Sequence, residues 1–131
     1  MEEEHDKIIE EIISSFKQKT KITAEKNFTY RIKGKPQEYQ VDLLILIGFK
    51  LFIFEIKTGK KERKAKKQLD FHKKYIENNQ QKIFTIYNLA FSEVNTLRVS
   101  KKEDKIINMN LKEETTFTSF LNDPLSFLIK E

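Results

Sequence analysis

The sequence predicts an α/β fold in which a mixed central sheet is flanked by helices, and three observations carry that prediction. First, residues 39–60, YQVDLLILIGFKLFIFEIKTGK, contain two apolar runs separated by Gly48. Both runs are apolar at odd and even positions alike, which a strand tolerates only when each of its faces is covered. Second, segments with helical periodicity stand on either side of this hairpin, at residues 3–19 and 62–78. Third, an apolar segment at residues 82–90 follows the second helix, and a strand reached through a crossover helix lies parallel to its neighbour.

Taken in order, residues 3–19 form the first helix, because Ile8, Ile9, Ile12, Ile13 and Phe16 make a wide apolar stripe at helical spacing. His5 lies on that stripe, where a lone histidine is more often a packing residue than a ligand. Residues 27–33 alternate as a half-exposed strand, with Phe28, Tyr30 and Ile32 on one face and Thr29, Arg31 and Lys33 on the other. Gly34, Lys35 and Pro36 then turn the chain, so that residues 33–38 link this strand to the one bearing Asp42. Gly48 turns the central hairpin. Along its second strand Leu51, Ile53, Glu55 and Lys57 share one face, and Phe52, Phe54 and Ile56 share the other.

The second helix, residues 62–78, stops at Asn78-Asn79 and buries Ala65, Leu69, His72 and Ile76. Residues 82–90, KIFTIYNLA, read as the next strand. Residues 96–100 and 105–111 are shorter strands around a charged turn at 101–104. Residues 115–121 and 125–129 are two helical pieces divided by Asn122-Asp123-Pro124, where Asp123 caps a helix and Pro124 takes its first position. Exposed phenylalanines in this last segment would serve a dimer interface.

At 131 residues, with 38% hydrophobic content and 11 Phe, the chain is expected to be one domain spanning 1–131. It contains no cysteine and two histidines, which excludes disulfides and thiolate metal sites and argues against zinc. No signal peptide or membrane span is evident, so a cytoplasmic protein with no membrane partner is expected. Internal repeats, phosphate-cradling glycine loops and the contexts of Ser or Cys nucleophiles are absent from the sequence. The net charge of +5 is concentrated after the hairpin, in Lys57, Lys60, Lys61, Arg63, Lys64, Lys66 and Lys67. Such a run is ordinarily a solvated helix face; beside a phosphate-cleaving site it suits contact with a nucleic-acid backbone, and Lys60, Lys61, Arg63, Lys64 and Lys67 are the candidates.

The chemistry concentrates in the hairpin. Glu55, inside Leu-Phe-Ile-Phe-Glu-Ile, cannot be buried as an isolated anion and needs a partner, a proton or a metal. Lys57 points the same way, and Asp42 lies on the partner strand. A Glu-x-Lys pair on a strand is more often a solvated cross-strand pair, but strands covered on both faces argue for a buried site here.

An acid at the start of one hairpin strand followed thirteen residues later by Glu-x-Lys, here Asp42, Glu55 and Lys57, resembles the PD-(D/E)XK nuclease superfamily. Its members include restriction endonucleases, archaeal Holliday-junction resolvases, and RecB-like and CRISPR-associated nuclease domains. The motif's proline is replaced by Val41. The resemblance implies a restriction-endonuclease-like αβββαβ core and Mg²⁺- or Mn²⁺-dependent hydrolysis of phosphodiester bonds, with DNA favoured over RNA. Asp42, Glu55 and the carbonyl of Ile56 would hold the metal, and Lys57 would orient water or stabilise the phosphate. A further carboxylate often comes from the first helix of such proteins; Glu11 is chosen, with Glu4, His5 and Glu10 as competitors. The motif followed by Gln68 resembles the RecB-like branch, whose helix carries a Gln and, four residues on, a Tyr; His72 stands at that second position. Gln68 is equally readable as an ordinary exposed polar residue. A homodimer is the default, since cutting a duplex commonly uses two copies. The alternative is a catalytically inactive nucleic-acid-binding or interaction domain on the same fold, as part of a CRISPR-type defence assembly.

Overall fold

The computed structural model describes residues 2–17, 19–57 and 62–129, with residues 2, 3 and 62–65 described as backbone only. The described elements are α1 (Glu2–Lys17), β1 (Thr23–Arg31), β2 (Glu38–Ile47), β3 (Lys50–Lys57), α2 (Glu62–Asn78), α3 (Gln80–Tyr87), β4 (Glu93–Ser100), β5 (Lys105–Asn108), β6 (Glu113–Thr115), α4 (Phe117–Asn122) and α5 (Pro124–Leu128). The strands form one open, six-stranded sheet ordered β1-β2-β3-β4-β5-β6. Neighbours are antiparallel except β3 and β4, which are parallel, so the fold is α/β with a mixed sheet. No helix among the described residues is long and apolar enough to cross a membrane.

The double-sided apolarity of the central hairpin has the expected structural consequence, a core on each side of the sheet. On one side, Phe52, Phe54 and Ile56 pack against the α1 stripe Ile8, Ile9, Ile12, Ile13 and Phe16, and against α4 and α5. On the other, Leu51 and Ile53 meet Leu69 and Ile76 of α2 and Ile83 of α3. Glu55 and Lys57 therefore face α2. The hairpin closes through Gly48-Phe49, with Ile47 paired to Lys50 and Gly48 at φ +60°.

One local irregularity positions the site. The β1–β2 ladder runs from Thr23↔Leu46 to Lys26↔Leu43 and resumes at Phe28↔Val41, passing over Asn27 and Asp42. Asn27 takes φ 55°. Across this gap both strands exchange faces: Ala24, Leu43 and Ile45 pack on the α1 side, whereas Phe28 and Val41 pack on the α2 side. The β2–β3 ladder also stops here, at Leu43↔Phe54, so β2 peels away from the end of β3. The Ile56 N–H, beyond that ladder, is taken up by Asp42 Oδ2 at 2.8 Å.

The structure corrects several expectations. Residues 82–90 do not form a strand: most of the segment belongs to α3, and the parallel partner of β3 is β4. Ile83 is buried in the α2-side core while Phe84 and Ile86 are exposed, and Asn88, left-handed at φ 58°, ends the helix by donating its N–H to Phe84 O. Burial on one face of a helix has overridden the strand propensity of Ile, Phe, Thr and Tyr. The phenylalanines expected to be exposed for a dimer, Phe117, Phe120 and Phe127, are buried instead, with Phe120 edge-on to Phe16 at 5.9 Å. The first strand occupies Thr23–Arg31 in place of 27–33, and the short β6 was not anticipated. At the C-terminal end, Asp123 caps α5 by accepting Ser126 N–H, with Pro124 at the first helical position.

Candidate functional site

Where β2 diverges from β3 a cleft of about 410 Å³ opens, lined by Asp42, Glu55, Gln68, Asn27, Gln40, and His5, Asp6 and Ile9 of α1. Asp42 reaches it because the interrupted ladder frees its side chain, and Glu55 because the pleat turns it towards α2. Burial pushes the Asp42 carboxyl up to about 6, and the neighbouring Glu55 carboxylate pushes in the same direction; the Ile56 N–H and the positive potential of His5 oppose them. Two acids thus share a poorly solvated space, and the ionised pair is held together at a cost.

Glu55 is 5% exposed and partnered unequally. Its Oε1 lies 3.7 Å from Lys57 Nζ, which donates to Gln68 Oε1 at 3.0 Å. Gln68 is therefore engaged with the lysine of the motif and is not an idle surface residue. Oε2 lies 3.6 Å from His72 Nε2, too far for a hydrogen bond, and neither atom has a hydrogen-bond partner among the described residues. His72 is fixed from behind, its Nδ1 lying 2.7 Å from the Tyr30 hydroxyl. Either neutral tautomer satisfies that pair: a proton on Nε2 leaves Nδ1 to accept from the hydroxyl, and a proton on Nδ1 is donated to the hydroxyl oxygen. Burial also raises the Tyr30 hydroxyl far above its usual range, so it keeps its proton at neutral pH.

The sequence-derived residues divide clearly. Asp42, Glu55 and Gln68 meet in the cleft, and Lys57 joins them through Glu55 and Gln68. Ile56 supplies its N–H to Asp42, while its side chain is buried on the α1 side. Glu11 does not reach the cleft: it pairs with Lys101 at 4.0 Å, and Glu10 pairs with Lys26. The reason is angle round the helix, since Glu11 stands two residues, about 200°, from Ile9, which lines the cleft. His5 and Asp6 take that place. The signal lay in the register His5–Ile9–Ile12–Phe16, which marks the sheet-facing line of the helix. Gln40 donates to Asn27 Oδ1 at 2.7 Å, bridging the interrupted ladder. Of the proposed backbone-contact residues, Lys67 is exposed on α2. Lys60 and Lys61 lie outside the described residues, as do the side chains of Arg63 and Lys64.

Among the described residues no group of three or more His, Cys, Asp or Glu is arranged to hold a metal ion, so the side-chain share of a metal site here would be two carboxylates. That set fits Mg²⁺ or Mn²⁺, which take hard oxygen ligands and retain several waters. The raised Asp42 carboxyl beside Glu55 marks where positive charge would relieve the pair. The set does not fit zinc. No model of a known protein family, no curated protein and no solved structure matches the chain.

Proposed function

We propose that the protein is a metal-dependent nuclease of restriction-endonuclease-like fold that hydrolyses phosphodiester bonds of nucleic acid, DNA ahead of RNA. The observation that carries this reading is the convergence of Asp42 and Glu55 on one cleft, with Lys57 held beside them by Gln68. The element order α1–β1–β2–β3–α2–β4, with β4 parallel to β3, supports it, α3 being interposed before β4. Bound Mg²⁺ or Mn²⁺ would supply Lewis acidity, lowering the pKa of a coordinated water and offsetting charge on the phosphate.

The chain's own residues have distinct tasks. Asp42 is aimed by the Ile56 N–H and Glu55 by Lys57, so both oxygens are preorganised. Lys57, with Gln68 limiting its rotamers, offers an ammonium to the attacking water or to a phosphate oxygen. His72 and Tyr30 position Glu55 from the buried side. Lys60, Lys61, Arg63, Lys64 and Lys67 contact the phosphate backbone. Glu11, engaged with Lys101, has no part in this scheme.

The test is incubation with plasmid, single-stranded DNA and RNA, with and without Mn²⁺, alongside Glu55→Gln and Lys57→Ala variants whose folding is checked by circular dichroism. Metal-dependent cleavage by the wild type should be lost in both variants. Undiminished cleavage in both would remove the site. Metal-independent binding without cleavage would favour the inactive-module reading, which the absence, among the described residues, of a third acid arranged with Asp42 and Glu55 to hold a metal also favours.

A further inference from the structure

A second concavity lies at the edge of the sheet, beyond the Tyr30–His72 pair. About 400 Å³ in size, it is floored by Phe71 and Tyr75 of α2 and rimmed by Arg31, Lys33, Lys74 and Lys82; no described Asp or Glu lines it. Phe71 and Tyr75 are half-buried and the four cations are exposed, so ring surface and positive charge face the same space. The floor is rigid. Tyr75 stacks on Tyr30 at 3.9 Å between centroids, Tyr30 on Tyr39 at 5.3 Å, and Tyr39 meets Phe71 at 4.9 Å. A column of rings with its inner member Tyr30 only 6% exposed loses little entropy when something stacks on its ends.

We infer that this groove is a binding site for single-stranded nucleic acid, with bases stacked on Phe71 and Tyr75 and phosphates held by Arg31, Lys33, Lys74 and Lys82. Aromatic faces inside a cationic rim are what a single strand uses, because its bases present free π-surfaces beside a charged backbone. A duplex keeps its bases stacked on one another, and a concavity of this size does not admit one. An acidic peptide would satisfy the rim and leave the ring floor without a partner. The groove also has a direction: Lys67, Phe71, Lys74 and Asn78 recur at helical spacing along α2, so one face of the helix leads from Gln68 at the candidate site to the groove. A strand laid along that face would pass from the groove to Asp42 and Glu55.

The inference goes beyond the nuclease reading and does not depend on it. Fluorescence anisotropy of a labelled oligothymidylate, in EDTA so that no cleavage intervenes, tests it. The wild type should bind in a salt-dependent manner and prefer the single strand to the matching duplex. Lys33→Glu with Lys74→Glu should weaken binding by roughly tenfold or more and flatten the salt dependence. Phe71→Leu should weaken it by roughly tenfold with the salt slope unchanged, and Phe71→Tyr should restore it. Thermal melting of each variant checks that the fold persists. Wild-type affinity in all of these variants, or displacement of the oligonucleotide by polyglutamate as readily as by unlabelled oligothymidylate, would overturn the inference. Single-strand binding through Phe71 and Lys74 by a protein that never cleaves leaves the groove standing and removes the nuclease. Cleavage by a protein whose affinity ignores these variants does the reverse.

Discussion

At the scale of single residues, Asp42 is the clearest case of a local requirement set against a global one. Its carboxylate satisfies the Ile56 N–H that the β2–β3 ladder leaves behind, yet it is poorly solvated and faces Glu55. With a pKa raised from 3.8 to about 6, the folded protein binds more protons than the unfolded chain between those values. Stability contributed by neutral Asp42 is therefore present at acid pH, declines as pH rises through that window, and is gone above it. Asp42→Asn keeps the shape and the acceptor while removing the charge. Its melting temperature should match the wild type near pH 4 and exceed it by several degrees at pH 7, corresponding to at most roughly 3 kcal/mol for a shift of about two units. A difference independent of pH would mean that Asp42 is not destabilised by ionisation. Asp42, Glu55 and Lys57 were legible in the sequence because the strand period fixes the Glu55–Lys57 face and acids inside apolar runs are conspicuous. Tyr30 and His72 could be assigned to buried faces but not to each other, since their meeting at 2.7 Å depends on how β1 twists under α2.

At the scale of elements, legibility followed the type of signal. Helix α2 was read to its observed bounds because its apolar positions, its charged face and the Asn78-Asn79 stop agree. The composition of α3 favours a strand, and its helical period, carried by a single buried Ile83, is too short to show. The break at Asn27 and Asp42, which builds the cleft, leaves no mark on the alternation of β1 beyond Asn27 itself, a residue that tolerates positive φ. The hairpin turn is simpler. An added Cβ on Gly48 would meet nothing within 4 Å, so at φ +60° any penalty is backbone strain alone. Gly48→Ala should lower the urea midpoint by an amount equivalent to about 1–2 kcal/mol without altering the pH response of Asp42. An unchanged midpoint would show that the turn is not left-handed at that residue.

At the scale of the whole molecule, the site is a product of the tertiary fold and of nothing smaller. Its cleft draws His5 and Asp6 from α1, Asn27 from β1, Asp42 from β2, Glu55 from β3 and Gln68 from α2, so no local segment of the chain contains it. Any ligand of the Asp42–Glu55 pair consequently binds the native state and has little affinity for the unfolded chain, and its binding free energy adds to global stability. Divalent metal at about ten times its dissociation constant would contribute about 1.4 kcal/mol by mass action, a rise of a few degrees in melting temperature. The expected outcome is such a rise for the wild type in Mg²⁺ or Mn²⁺, absent in both Asp42→Asn and Glu55→Gln, and unaffected by the groove substitution Phe71→Leu, which lies outside the cleft. The two carboxamides serve different purposes: Asp42→Asn is expected to be the more stable protein without metal, so its failure to respond could not be blamed on a damaged fold. If both variants gain as many degrees as the wild type, the cation is held elsewhere, and the convergence of Asp42 and Glu55 has to be understood as a buried pair of acids stabilised by Lys57 and the Ile56 N–H.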